Sequence, residues 1–379
     1  MIAPRHQAAQ IAVLVITSFC AAFSLFLFSA TLPIYLYSNR SLSLTAVGEL
    51  VGLAFVVQVV MTLMAGPLID RRGARLAIRL GPAFYFAAAV IFIFTTSPLM
   101  IGLARAMQGV GAAMIVPAAF SLLPSLVSER RRGTALGAFG ASSTIALAIG
   151  PPVGLLLLRH GPGLLFGVAL AVAALAFGAS LFLNTGAPNP QPGPLFTYRA
   201  SWTPLLLVTF LTVVYWGVVT AFLPINVPLA QLGNVGWFFT ADALAVLAFR
   251  IPTGYLADRF GPRWLLALGI LVTCAGILAL LLPASLITLV AAGMATGFGA
   301  ALLLPPILLE LTKRSHERDR GTAMALYSTS FSAAVGAGSL AAAPLVATAG
   351  FGVALVVSTV ACLGAAPIVM MSLGRREDS

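Results

Sequence analysis

Apolar residues make up 60% of this 379-residue chain and charged residues only 8%, with a mean hydropathy of +1.04. These values exclude a soluble globular protein. The formal net charge of +11 sits in short clusters between apolar runs, so it does not form a nucleic-acid surface.

A bilayer core takes about 20 apolar residues per helical span. Twelve such runs follow in chain order: 11–36, 46–68, 77–96, 99–125, 134–158, 163–183, 204–226, 234–256, 264–283, 286–310, 322–347 and 351–372. Their Ala, Leu and Gly content predicts helices, because lipid offers no water to an open backbone. Barrel strands would be shorter and would alternate polar with apolar residues. The first run is too long for the apolar region of a signal peptide and has no convincing cleavage site, so it is read as a span.

Of the 21 Lys and Arg, 17 fall on one side: Arg5, Arg71, Arg72, Arg75, Arg79, Arg130 to Arg132, Arg199, Arg259, Arg263, Lys313, Arg314, Arg318, Arg320, Arg375 and Arg376. Arg40 and Arg159 fall on the other side, while Arg105 and Arg250 lie inside spans. The positive-inside rule then makes both termini cytoplasmic. The expected setting is a prokaryotic inner (plasma) membrane crossed many times. Cys20, Cys274 and Cys362 are all within spans and imply neither a disulfide framework nor a metal cluster. Between spans 6 and 7, residues 184–203 carry Pro188, Pro190, Pro192 and Pro194, and read as an extended cytoplasmic linker.

The chain is duplicated. Gly66 to Arg75 (GPLIDRRGAR) returns as Gly254 to Arg263 (GYLADRFGPR), 188 residues later. At the same offset Arg132-Gly133-Thr134-Ala135 matches Arg320-Gly321-Thr322-Ala323, and Gly109, Gly111, Ala112 and Pro117 match Gly297, Gly299, Ala300 and Pro305. The expected fold class is therefore an all-α membrane protein of twelve transmembrane helices. They form two pseudo-symmetric six-helix bundles, residues 1–183 and 204–379, joined by the linker at 184–203. Arg105, Asp242, Arg250 and Glu49 are not repeated: their mates are Gly293, Ala54, Thr62 and Trp237. Unrepeated charges inside spans are the candidates for chemistry.

The doubled Gly, Asp-Arg, Gly, Arg signature between spans 2 and 3 and again between spans 8 and 9 resembles that of the major facilitator superfamily. The residues are Gly66, Asp70, Arg71, Gly73 and Arg75, then Gly254, Asp258, Arg259, Gly261 and Arg263. The resemblance covers essentially the whole chain. It implies that Asp70 meets the start of span 11 near Arg320 and Gly321. By the duplication, Asp258 meets the start of span 5 near Arg132 and Gly133. These contacts would lock the cytoplasmic side. Glycine at a span end suits close helix approach, and an anion suits a helix N-terminus. Arg105-Ala106-Met107-Gln108-Gly109 is similar to the Arg-x-x-Gln-Gly element of the drug/proton antiporter subgroup. Gly150-Pro151-Pro152-Val153-Gly154 is similar to that subgroup's Gly-Pro-x-x-Gly element, with Ala146 and Leu155 where the fuller pattern has glycine. Prolines bend a helix, and the Gly150/Gly154 pair allows close packing, expected on span 8 as an outer seal.

An ionisable group inside a span marks a function by default. Asp242 lies eight residues into span 8, about 12 Å deep, and is the first candidate for a proton site. Its bland alternative is a structural partner for Arg250. Arg105 and Glu49 complete the proton-coupling set, with Glu49 either paired or hydrated at the interface. Glu310 is expected to pair with a nearby Arg or Lys. The resemblance implies that spans 1, 4, 7 and 10 line the cavity, with Ser24, Phe28, Thr31, Tyr35, Gln108, Tyr215, Trp216, Thr220 and Asn226 as substrate contacts, although the aromatics can equally face lipid.

The leading expectation is proton-coupled efflux by alternating access of a small organic, lipophilic or weakly cationic molecule. The alternatives are a facilitator or proton symporter for nutrient uptake, and a non-transporting sensor. No cofactor, metal or nucleic-acid partner is expected; the partners are substrate, protons and lipid, and the protein is read as a monomer. An enzyme is disfavoured, since His6, His160 and His316 sit at span ends or in tails and no nucleotide-binding loop occurs.

Overall fold

The computed structural model describes residues 4–95, 97–127, 132–184, 198–227, 234–316 and 319–373. Outside this description fall most of the linker (185–197), and the side chains of residues 4–8, Asp70, 132–134 and Asp258 among others.

The described chain is helical. The elements are α1 (Pro4–Ile34) with a π-helical turn Tyr35–Asn39, α2 (Leu44–Arg72), α3 (Ala74–Phe94), α4 (Pro98–Leu126), α5 (Arg132–Arg159) and α6 (Pro162–Leu181). A short 3-10 turn (Ala200–Trp202) leads to α7 (Thr203–Asn226), α8 (Gly236–Phe260), α9 (Pro262–Ala279), α10 (Leu286–Lys313), α11 (Arg320–Ala349), α12 (Phe351–Leu363) and α13 (Ala365–Leu373). The last two continue one another as a single candidate span, Phe351–Ser372. Eleven stretches are long and apolar enough to cross a membrane. The predicted eighth span is a helix, α8, but is not among them.

Sequence explains where the helices begin. Proline opens α4, α6 and α9, where its missing N–H costs no intrahelical bond. At α10, Ser285 Oγ accepts from the Thr288 N–H at 3.0 Å while Thr288 Oγ1 accepts from the Ser285 N–H at 2.8 Å, a reciprocal cap. The duplicated signature is not the loop that its polarity suggested. Gly66 to Arg72 continue α2, Gly254 to Phe260 continue α8, and a single glycine breaks each helix. Gly73 has φ 86° and ψ 149°, and Gly261 has φ 78° and ψ 159°. A side chain does not tolerate that region, which is why glycine stands there.

The chain forms two compact units, Met1–Phe28 with Leu53–Leu195, and Ser29–Gly52 with Phe196–Ser379. In the first, an apolar core runs through Leu14, Ile78, Tyr85, Ile115, Leu122 and Ala173. In the second, Trp202, Leu266, Ile270, Leu303, Ile307 and Leu311 form the counterpart. The segment Ser29–Gly52 precedes the linker yet packs in the second unit. There Ser339 Oγ of α11 donates to the Gly48 carbonyl of α2 at 2.9 Å.

Backbone contacts repeat the duplication. In the first unit, a Cβ on Gly109 would lie 2.2 Å from the Ala54 carbonyl oxygen; in the second, a Cβ on Gly297 would lie 2.1 Å from that of Asp242. Both residues shift by 188. Likewise Gly81 abuts Ile115 and Gly111 in one unit, and Gly269 abuts Leu303 while Gly299 abuts Gly269 in the other. Without an apolar solvent effect to press helices together in lipid, such small-residue crossings let backbones touch and gain packing energy. No described atom lies within 4 Å of a Cβ built on Gly66 or Gly254.

Candidate functional site

Two buried polar centres stand out, one in each unit. In the second unit, Asp242 of α8 is 4% exposed, and the Thr296 hydroxyl of α10 donates to its Oδ1 at 2.8 Å. Tyr215 of α7, also buried, comes close enough to interact with both. Gly297 brings α10 against the Asp242 backbone, and Gly293 does the same at the Phe238 carbonyl, where a Cβ would lie 2.3 Å away. The Gly293-x-x-Thr296-Gly297 spacing therefore puts a hydroxyl between two glycine contacts and aims it at the carboxylate. Aromatic rings flank the centre: Trp216 lies 5.7 Å from Phe239 and 6.3 Å from Phe238, and Tyr215 lies 6.1 Å from Trp216. A buried carboxylate with one hydroxyl donor and an aromatic wall can exchange a proton and can attract a cation.

Helix α8 starts at Gly236, so Asp242 is six residues in, about 9 Å along the axis. That is shallower than the depth read from sequence, because the predicted span began two residues earlier. Arg250 lies on the same helix two turns further on, and no ion pair joins it to Asp242 among the described residues.

In the first unit, Arg105 of α4 is 4% exposed and its Nη1 donates to Gln108 Oε1 at 2.6 Å. Tyr85 of α3 lies within electrostatic reach of the guanidinium. Gln108 and Thr296 are 188 residues apart, so the two centres grow from the same helix position in the repeat. Glu49 is exposed near the start of α2. Glu310, 7% exposed, lies 3.2 Å from Lys313 Nζ and 3.7 Å from Arg314 Nε, as expected.

The remaining candidates divide by what they touch. Ser24 Oγ donates to the Ala169 carbonyl of α6 at 3.1 Å, and Phe28 stacks on Phe92 at 4.7 Å and Phe166 at 6.0 Å. Thr31 is buried. The Tyr35 hydroxyl accepts from Arg40 Nε at 2.8 Å. Thr220 Oγ1 donates to the Trp216 carbonyl at 2.8 Å and Asn226 Nδ2 to the Phe222 carbonyl at 2.9 Å, both within α7. Of the predicted substrate contacts, Tyr215 interacts with Asp242, and Trp216 is its ring neighbour.

Among the signature residues, Arg71, Arg259 and Arg320 are exposed. Arg75 donates to the Asn184 carbonyl, and Arg79 Nη2 to the Leu181 carbonyl at 2.8 Å and the Leu183 carbonyl at 3.0 Å. Arg79 thus caps the last residue of α6, where the helix dipole favours a cation, and Arg75 holds the segment that follows it. Arg263 Nε reaches Met370 Sδ of α13 at 3.2 Å. The side chains of Asp70, Asp258 and Arg132 lie outside the described residues. In α5, which runs unbroken through Pro151 and Pro152, Gly150 accommodates Phe26 of α1 within its unit, 2.7 Å from a Cβ. Gly154 is buried.

Sequence reasoning missed Thr296, Arg79 and the Arg199–Asp319 pair, whose Nε–Oδ2 bond is 3.0 Å. Thr296 was readable as the 188-residue mate of Gln108; the other two needed the fold.

Comparison with known proteins fits this picture. A profile of the Major Facilitator Superfamily matches residues 14–233 and again 205–379. A probable L-galactonate transporter of Escherichia coli (strain K12) is 26% identical over 62% of this chain and 52% of its own. Multidrug resistance protein 1 of Bacillus subtilis (strain 168) is 28% identical over 45% of this chain and 46% of its own. The human chromaffin granule amine transporter is 24% identical over 86% of this chain and 65% of its own. The chain thus spans about half the length of the first two relatives. In fold, it superposes on the peptide transporter POT in complex with sulfate with a TM-score of 0.80 at 17% identity, covering 96% of this chain and 94% of that one. A matched profile over both halves, on an all-helical membrane fold, shows that this chain belongs to the Major Facilitator Superfamily.

Proposed function

We propose that the protein exports a small organic, lipophilic or weakly cationic molecule in exchange for protons, by alternating access of two six-helix bundles about a central site. The observation that carries this reading is Asp242, a carboxylate 4% exposed in a helix otherwise apolar at that depth, with a hydroxyl as its partner. Such a group takes up a proton from one side and gives it to the other as access alternates. Arg105 with Gln108 supplies a fixed positive centre, since a guanidinium keeps its charge. Both termini are cytoplasmic, the membrane is the bacterial inner membrane, and the working unit is the monomer. The similarity to a multidrug resistance protein and to an amine transporter supports a lipophilic or cationic cargo. The Gly150, Pro151 and Gly154 region of α5 acts in the outer seal. The signature residues Asp70 and Asp258 act at the cytoplasmic side.

A second reading, uptake of a small polar nutrient, has one support, the similarity to a probable L-galactonate transporter. Purified protein in liposomes with an acidic lumen and a fluorescent pH reporter separates the two. Lipophilic cations, neutral antibiotics, sugar acids and amino acids are added singly. Proton release that follows a lipophilic cation, and is lost in Asp242→Asn, is the expected result. Undiminished proton release in Asp242→Asn, or labelled sugar acid crossing with no proton release, overturns the antiport reading.

A further inference from the structure

The Thr296 hydroxyl has one proton and three polar neighbours, the Tyr215 hydroxyl of α7 and two stronger acceptors. Asp242 Oδ1 lies 2.8 Å away on α8, and the Gly293 carbonyl lies 3.1 Å away on its own helix α10. The first bond joins two helices; the second joins nothing that the helix has not already joined. An ionised carboxylate is the stronger acceptor, and its bond to a hydroxyl is about twice as strong as a neutral one. A protonated carboxyl loses that advantage over an amide carbonyl. We propose that Thr296 is the positioning residue that reports the protonation of Asp242 to the helix packing, its hydroxyl tying α10 to α8 when Asp242 is ionised and returning to the Gly293 carbonyl when Asp242 is protonated. The inference rests on Asp242 being the proton site.

The surroundings make the tie matter. Backbones already touch at this crossing, at Gly293 and Gly297, so a lost bond acts on a contact with no side-chain cushion. On its far side, the Thr296 methyl fills the space that Gly276 of α9 leaves, 2.7 Å from where a Cβ would stand. The side chain is therefore held in place, and what changes is the direction of the O–H. Among the described residues of the second unit, Tyr215 of α7 is the titratable group that interacts with Asp242. Arg250 is two turns away on α8, and among the described residues α9 and α10 bring no charged group that pairs with the carboxylate. The aromatic wall of Trp216, Phe238 and Phe239 adds no further hydrogen-bonding charge.

The test uses the full chain in liposomes and follows proton-coupled transport against pH in Thr296→Val and Thr296→Ser. Valine keeps the shape and removes the hydroxyl; serine keeps the hydroxyl and removes the methyl. Thr296→Val is expected to move the half-maximal pH upward by about one unit, a tenfold change in proton affinity, because the ionised form loses a donor. Thr296→Ser is expected to keep the wild-type profile. Infrared difference titration of the carboxyl stretch, absent in Asp242→Asn, should move by the same amount. An unchanged profile in Thr296→Val, or an equal shift in both variants, overturns the proposal. If the valine protein does not fold, Thr296→Ala against Thr296→Ser gives the same decision. Proton coupling that survives in Asp242→Asn would overturn the proton-site reading itself; coupling lost there with an unshifted Thr296→Val profile overturns the Thr296 role alone.

Discussion

Gly297→Ala is the sharpest perturbation of the candidate site, because it adds one methyl group at the point where α10 rests on Asp242. That methyl would lie 2.1 Å from the Asp242 carbonyl oxygen and 2.8 Å from both its carbonyl carbon and Cα, whereas ordinary contact begins at 3.4 Å. The atoms are backbone, so no side chain can swing away. The helices must separate by about 1.3 Å (3.4 − 2.1), which stretches the 2.8 Å Thr296–Asp242 bond to about 4 Å, beyond hydrogen-bond range. Overpacking of this kind costs about 1–3 kcal/mol. The mirror variant Gly109→Ala meets the Ala54 carbonyl at 2.2 Å and should cost about as much, but no carboxylate stands there. Gly178→Ala in α6 has no described atom within 4 Å and should be neutral or stabilising by up to about 1 kcal/mol. Thermal unfolding in detergent should therefore rank Gly178→Ala above wild type or level with it, and both crossing variants below. In liposomes, protons released per substrate moved should fall in Gly297→Ala and hold in Gly109→Ala. The reasoning is refuted if Gly297→Ala keeps wild-type stability and coupling, or if Gly109→Ala lowers the proton ratio as much.

Two further outcomes follow from the fold. Gly73→Ala and Gly261→Ala place a side chain at φ 86° and 78°, and each should cost about 1–3 kcal/mol in thermal or denaturant unfolding; a loss-free alanine at either position would mean that the chain turns differently there. The Arg199–Asp319 pair, with side chains 31% and 4% exposed, should show a coupling of about 1 kcal/mol in a double-mutant cycle of Arg199→Ala and Asp319→Asn, and a coupling near zero would put both side chains in solvent.

Much of this protein was legible before folding. Lipid forces backbone groups to pair within a segment, so run length and hydropathy determine helices directly, and eleven of the twelve predicted spans meet that criterion. The exception, α8, is the helix that carries Asp242 and Arg250. The duplication was legible because paired glycines recur at a fixed offset, and the contacts of Gly81, Gly109 and Gly111 reappear at Gly269, Gly297 and Gly299. Asp242 and Arg105 stood out because charge inside a span is costly. What the chain alone did not reveal was direction. Helical spacing put Ser24 and Phe28 on one face of span 1, but only the packed structure shows that face meeting α6 and Phe92. Charge put Arg75 and Arg79 on the cytoplasmic side, while the fold sets Arg79 on the last carbonyl of α6 and Arg75 on the Asn184 carbonyl just beyond it. Thr296 looked like one small polar residue among many until α8 and α10 crossed at Gly297 and left its hydroxyl facing Asp242. Sequence thus determined which segments cross the membrane and which charges they carry, since both depend on transfer from water to lipid one residue at a time. Tertiary structure decided which groups meet, since that depends on backbone approach between helices distant in the chain.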